Sequence, residues 1–295
     1  MTDAILISLA VFLRITSNPL ANVFQKKLAT KGNHPLLVNF LTYALLSIVC
    51  LFYVGSIQWA KLPQQFWLYA VLGGIVGAVG NGFLVKALQK GDLSVLGPIN
   101  AYKSVVAIVV GIFLLGEILN IWGAIGIVLI IYGSYFVLDT TKERFTLKLL
   151  KKSEIQFRIW AMLLTAIEAV FTKKVILATS VELAFISWCI FGAFFSFILL
   201  YIDQMNVKNE ISKVAYADIG KYLVLILCVG TMQFTTNYSL NHLPVGYALS
   251  FFQLSTIISV LFGYKIFKEQ DIRKKLAGSA IMVIGSILII ILKDR

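Results

Sequence analysis

The chain has 295 residues, of which 59% are apolar and 14% are charged, and its mean hydropathy is +0.87. A soluble domain is about 45–50% apolar and about 25% charged, so a soluble globule, a disordered chain and a coiled coil are all excluded. The net charge is +12, and the basic residues lie mostly between apolar runs. This pattern favours the positive-inside topology of a membrane protein over nucleic-acid binding.

Ten apolar runs follow one another along the chain. Each is close to the roughly 20 residues that a membrane-spanning helix needs, and they cover residues 4–25, 36–60, 62–85, 93–116, 118–138, 159–177, 183–202, 222–241, 243–264 and 276–292. The first begins Met-Thr-Asp and contains Arg14, so we expect a retained helix and no signal peptide. The runs predict an all-α membrane protein with ten transmembrane helices.

Signatures of metal sites, disulfides and catalysis are missing from the sequence. Cys50, Cys189 and Cys228 lie inside apolar runs without C-x-x-C spacing, and His34 and His242 lie at predicted span ends. No G-x-x-x-x-G-K-[ST], H-E-x-x-H or G-x-S-x-G pattern occurs, and these patterns mark ATP-driven motors, metalloproteases and serine hydrolases. We therefore expect no metal, no cofactor and no enzymatic activity.

The two halves of the chain repeat one another. Under a shift of 152 residues, three glycines and a glutamate of the first half meet identical residues: Gly111 and Gly263, Glu117 and Glu269, Gly126 and Gly278, Gly133 and Gly285. A shift of 147 residues aligns residues 24–27 with 171–174. Because five spans is an odd number, the second copy must enter the membrane from the opposite side. We expect two inverted five-helix repeats, residues 1–138 and 159–295, joined by a basic loop at 139–158.

The motifs of the first repeat resemble those of a known transporter superfamily. They comprise Pro98, the run Leu114-Leu115-Gly116-Glu117, Gly126 and Gly133. This set is similar to the drug/metabolite transporter superfamily, and more narrowly to its EamA-like ten-helix permeases. The resemblance implies a central cavity between the halves, with spans five and ten at the periphery. Ser250 occupies the position equivalent to Pro98, which predicts that the ninth span lacks the proline kink.

Three ionisable residues are predicted at the middle of the membrane. Arg14, Lys103 and Glu168 each lie about halfway along a span, where a charge costs roughly 2.5–3.5 kcal/mol on insertion scales. Two cations against one anion favour an anionic group on a substrate. Glu168 would then hold a substrate ammonium or carry a proton. In the alternative interpretation, Arg14 or Lys103 pairs with Glu168 and locks two helices together.

Polar side chains share the helical faces of these charges. The predicted substrate-binding set consists of the three ionisable residues together with Asn18, Asn22, Asn81, Asn100, Tyr102, Gln233, Asn237 and Gln253.

The pattern as a whole predicts a secondary transporter in the cell (inner or plasma) membrane. Its substrate would be a small anionic or zwitterionic metabolite of amino-acid or organic-acid type, moved by alternating access. The alternatives are a flippase for a lipid-linked anionic head group and a non-transporting signalling or assembly protein. The expected partners are the metabolite and the bilayer, with no nucleic acid, and the chain could be a monomer or a homodimer. Basic residues concentrate in the loops that follow odd-numbered spans, which predicts that both termini lie outside.

Overall fold

A computed structural model describes residues 2–100, 102–103, 105–106, 121–138 and 149–291. The regular structure assigned in this part of the chain is helical. The α-helices, in chain order, are α1 (Thr2–Thr30), α2 (Pro35–Val54), α3 (Gln64–Lys90), α4 (Leu93–Ile99), α5 (Ile121–Leu138), α6 (Ser153–Ala178), α7 (Val181–Ile202), α8 (Val207–Ser212), α9 (Ile219–His242), α10 (Val245–Phe251), α11 (Ser255–Phe267) and α12 (Ile272–Ile291).

Six segments of the described chain are long and apolar enough to cross a membrane. They are Ala4–Thr30, Pro35–Val54, Gln64–Lys90, Val181–Ile202, Tyr216–His242 and Val245–Phe267. The large side chains that they leave exposed, such as Phe52 and Leu227, are suited to contact with lipid. The protein is therefore a multi-pass membrane protein. Gly111 of the fourth predicted span and Glu117, which follows that span, lie outside the described residues.

Helices from the two halves of the chain pack in pairs. Helix α3 packs along α6, α1 along α9, α2 against α7, α4 against α11, and α5 against α12. Glycines allow two of these close approaches. A Cβ atom at Gly80 on α3 would lie 2.9 Å from Thr165 on α6, and one at Gly133 on α5 would lie 2.6 Å from the backbone oxygen of Gly278 on α12.

The fourth and ninth predicted spans are both interrupted. Helix α4 ends at Ile99, and the Asn100 N–H bonds to the carbonyls of Gly97 and Pro98 instead of the carbonyl four residues earlier. Helix α10 leads through a 3-10 turn at Phe252–Leu254 into α11. This change to 3-10 geometry needs no proline, since Ser250 occupies the position equivalent to Pro98. The Gln253 side chain donates to the Leu249 carbonyl at 2.7 Å.

Candidate functional site

A cavity of about 60 Å³ lies among α1, α3, α6, α7 and α9 and beside the end of α4. Its volume accommodates a few water molecules. Eight of the eleven predicted site residues line it: Arg14, Asn18, Asn22, Asn81, Asn100, Lys103, Glu168 and Gln233. A neighbouring space of about 30 Å³ shares part of this lining and adds Gln25, Asn39 and Tyr43. The structure therefore brings together charged and amide side chains from both halves of the sequence.

The other three predicted residues lie outside the cavity lining. The Tyr102 hydroxyl is 2.5 Å from Ser134 Oγ on α5. The Asn237 side chain is completely buried and forms a 2.9 Å hydrogen bond with Gln233. Gln253 is also completely buried and bonds to the Leu249 carbonyl. Two of them contact the lining, Asn237 through Gln233 and Gln253 through the Leu249 carbonyl.

Arg14 reaches the cavity with part of its hydrogen-bonding capacity unused. Its side chain is 6% exposed, and its Nε donates to Thr236 Oγ1 at 2.7 Å. The guanidinium carbon lies 4.8 Å from the centre of the Phe252 ring, which provides a cation–π contact. Its Nη1 atom is buried without a hydrogen-bond partner. Because an unpaired buried donor costs about 1–3 kcal/mol, and more when charged, an acceptor in the cavity would stabilise this arrangement.

Glu168 is held in place by groups that sequence reasoning did not select. Its Oε1 accepts a 2.5 Å hydrogen bond from Trp188 Nε1. Gly77 faces the same carboxylate, and any Cβ atom there would overlap with it. Among the described ion pairs, none joins Glu168 to Arg14 or Lys103, so the ion-pair lock of the alternative interpretation is not formed here. Trp188 lies within α7, whereas tryptophans in membrane proteins gather at the membrane interface. This unusual position could have identified Trp188 as a site residue.

Arg158 is a cavity residue that the sequence analysis placed in the connecting loop. Helix α6 begins at Ser153, so Arg158 lies in its second turn and is 4% exposed. Its Nε donates to the Leu96 carbonyl at 2.7 Å, where α4 ends and the backbone leaves that carbonyl free. Arg158, Ala161, Thr165, Glu168 and Thr172 all line the cavity. Their alternating spacing of three and four residues is that of one helical face, and it could have identified Arg158.

A second buried group of charges lies away from the cavity, near the start of α4. We call Lys26, Ser94, Glu269 and Lys275 the Glu269 cluster. Glu269 accepts hydrogen bonds from the N–H groups of Leu93 and Ser94, both at 2.8 Å, and lies 3.2 Å from Lys26 Nζ. Lys275 Nζ donates to Ser94 Oγ at 2.7 Å. Burial raises the pKa of Glu269, but the hydrogen bonds from Ser94 and Leu93 and the charge of Lys26 outweigh it and hold that pKa below its ordinary value.

The fold and the cavity define a multi-pass helical membrane protein with a charged central site. The family model of the EamA-like transporter family matches the chain twice, over residues 6–139 and 152–291. The protein belongs to this family, as the motif resemblance predicted. The double match also agrees with the internal repeat in the sequence.

Similar proteins are known from bacteria and archaea. A Streptococcus pyogenes serotype M1 protein named "Putative sugar uptake protein" is 25% identical over 257 residues, which is 79% of this chain and 82% of that one. A Sinorhizobium sp. protein named "Uncharacterized transporter in cobO 3'region" is 28% identical over 120 residues, covering 39% of this chain and 84% of its own. A solved crystal structure of a protein shares the fold over 98% of both chains, with a TM-score of 0.71 and 15% identity.

Proposed function

We propose that this protein is a secondary transporter that moves a small anionic or zwitterionic metabolite across the membrane by alternating access. Family membership supports transport. The observation that carries the substrate class is the cavity itself, whose lining includes the Arg14 side chain, and the buried Nη1 atom of that side chain has no hydrogen-bond partner. Glu168 is the candidate proton carrier, because it is the carboxylate of the described lining.

We further propose that the chain forms ten transmembrane helices arranged as two inverted repeats. Helices α4 (Leu93–Ile99) and α10 (Val245–Phe251) correspond residue for residue under the shift of 152. The pairing of α3 with α6 is mirrored by that of α9 with α1, as a two-fold relation between the halves requires. Lys26 and Lys173, equivalent under the shift of 147, each donate to a backbone carbonyl near the end of the neighbouring long helix, Gly91 after α3 and Leu240 in α9. Two near-equivalent halves support an exchange between inward-open and outward-open states.

A sugar is the second candidate substrate. The Streptococcus pyogenes relative is named for sugar uptake. The cavity lining also includes five amide side chains, which both donate to and accept from hydroxyl groups: Asn18, Asn22, Asn81, Asn100 and Gln233. A neutral sugar would leave the charge of Arg14 unbalanced, and for this reason we place it second.

Ligand binding and flux can be tested separately. Purified protein is melted against a panel of organic acids, amino acids, sugars and lipid-linked anionic head groups, since a ligand at 100 times its Kd stabilises by about 2.7 kcal/mol. Ligands that stabilise the protein are then assayed for uptake into proteoliposomes, with and without a pH gradient. We expect accumulation of an anion or zwitterion. Uptake of a sugar alone would favour the second candidate, head-group translocation would favour a flippase, and binding without any flux would contradict transport.

A further inference from the structure

The cavity contains more fixed positive charge than the sequence pattern predicts. Among the described residues, Arg14, Arg158 and Lys103 line it together with one carboxylate, Glu168. Both guanidiniums repel the Lys103 ammonium, whereas Glu168 attracts it. The four groups therefore act on one another across one shared space.

The lysine and the glutamate balance each other. As ammonium and carboxylate their charges sum to zero, and after proton transfer to amine and carboxylic acid they again sum to zero. A guanidinium, by contrast, keeps its proton in proteins. Whether Lys103 and Glu168 are both charged or both neutral, the positive charges of Arg14 and Arg158 thus have no counter-charge in the described lining.

The contacts that the two arginines make within the protein do not neutralise them. The partners of Arg14 are the Thr236 hydroxyl and the Phe252 ring, and neither carries a net charge. Arg158 donates to the Leu96 carbonyl at the end of α4. A helix end supplies at most about half of a negative charge. Each arginine therefore retains most of its positive charge.

We propose that the cavity takes a small substrate with two anionic groups, one bound by Arg14 and the other by Arg158. This inference rests on the proposed transport function and narrows its substrate class. Carboxylates suit both positions, because the planar guanidinium fork matches a carboxylate with two parallel hydrogen bonds. A monocarboxylate would leave one guanidinium uncompensated in a site of low dielectric. The cavity volume of about 60 Å³ limits such a substrate to a short carbon chain.

Matched pairs of ligands test the proposal on the purified full-length chain. Succinate and butyrate share a four-carbon skeleton and differ in one carboxylate, and glutamate and glutamine differ in the same way. We expect the member with two carboxylates to bind at least tenfold more tightly in at least one pair. In Arg14→Gln and Arg158→Gln this ratio falls towards one. Arg158→Lys keeps the charge, so it retains a preference even if the affinity drops. Arg273→Gln, which changes an exposed arginine on α12, keeps the wild-type ratio.

The results separate this inference from the proposed function. Three results would overturn the inference: equal binding of mono- and dicarboxylates, binding of none of the four ligands, or an unchanged ratio in Arg158→Gln. Flux of some other anion in proteoliposomes would still support the proposal that the protein is a transporter. A dicarboxylate preference that disappears in both glutamine variants, without flux of any compound, would support the inference about the site and contradict transport.

Discussion

Two groups of buried charges differ in how completely the protein pairs them. In the Glu269 cluster, the carboxylate receives two backbone N–H groups and Lys26, and Lys275 completes the group through Ser94. In the cavity, Arg14 retains an unpaired donor and no ion pair joins Glu168 to Arg14 or Lys103 within the described chain. A buried cluster in which each charged group has a hydrogen-bond partner stabilises one arrangement of the helices. In an incompletely paired cluster, a substrate can supply the missing partner. We therefore infer that the charges of the Glu269 cluster are structural and that those of the cavity are functional.

Removal of the Glu269 carboxylate is expected to have the largest effect on stability. Glu269→Ala leaves Lys26 buried without its counter-charge and removes the acceptor for two N–H groups of α4. Breaking a buried pair in this way costs about 3–5 kcal/mol. Thermal unfolding of the purified protein in detergent measures the loss. Adding Lys26→Met should recover part of the stability, because the second change removes the uncompensated charge.

Charge removal in the cavity should give the opposite pattern, a large loss of flux with little loss of stability. We expect Arg14→Gln and Lys103→Gln to reduce proteoliposome flux by about 100-fold, roughly 2.8 kcal/mol at 1.4 kcal/mol per tenfold. Expression and monodispersity should survive, because neither side chain forms an ion pair with another described residue. If Arg14→Gln unfolds the protein as strongly as Glu269→Ala, the helix-locking interpretation is the correct one. Normal transport in both variants would contradict the site assignment.

The contrast between the two clusters was only partly visible in the sequence. Arg14, Lys103 and Glu168 could be identified because each lies about halfway along an apolar run. An isolated charge in such a run is costly whichever helices pack around it. Arg158 was assigned to the connecting loop because the apolar run begins after it, at Ile159, whereas α6 begins at Ser153. The pairing of Glu269 with α4 depends on contacts between residues more than 170 positions apart. No local pattern encodes such contacts.

The helices were easier to predict from the sequence than the points at which they are interrupted. Hydropathy predicted long apolar helices, and the resemblance of the motifs predicted the family. The ninth span was nevertheless expected to lack the kink because Ser250 replaces a proline. In the structure the span changes to a 3-10 turn at Phe252–Leu254, and the Gln253 side chain donates to the Leu249 carbonyl. Residue propensities alone do not predict this local arrangement.

The acid sensitivity of the Glu269 cluster gives a smaller effect with a defined sign. The pKa of Glu269 lies below its ordinary value of 4.5, so the folded state binds its proton less readily than the unfolded state. Its contribution to stability is therefore complete above about pH 5.5 and is lost as the pH falls through the folded-state pKa. The difference in melting temperature between the wild type and Glu269→Gln should be constant above that pH and shrink at more acidic pH. A difference that grows on acidification would contradict the assigned pairing.

The smallest effect is expected at an exposed ion pair, which provides the reference for both buried clusters. Lys213 pairs with Glu210 one helical turn away, at the end of α8, and the lysine side chain is 59% exposed. Water and salt screen such a pair, and holding two long side chains together costs entropy, so it contributes about 0–1 kcal/mol. Lys213→Ala should accordingly leave flux unchanged and shift the melting temperature by less than any variant above, with Glu210→Gln behaving alike. A loss of thermal stability as large as that of Glu269→Ala would mean that burial and pairing do not determine how much each charge contributes to stability. The comparison between the two buried clusters would then fail.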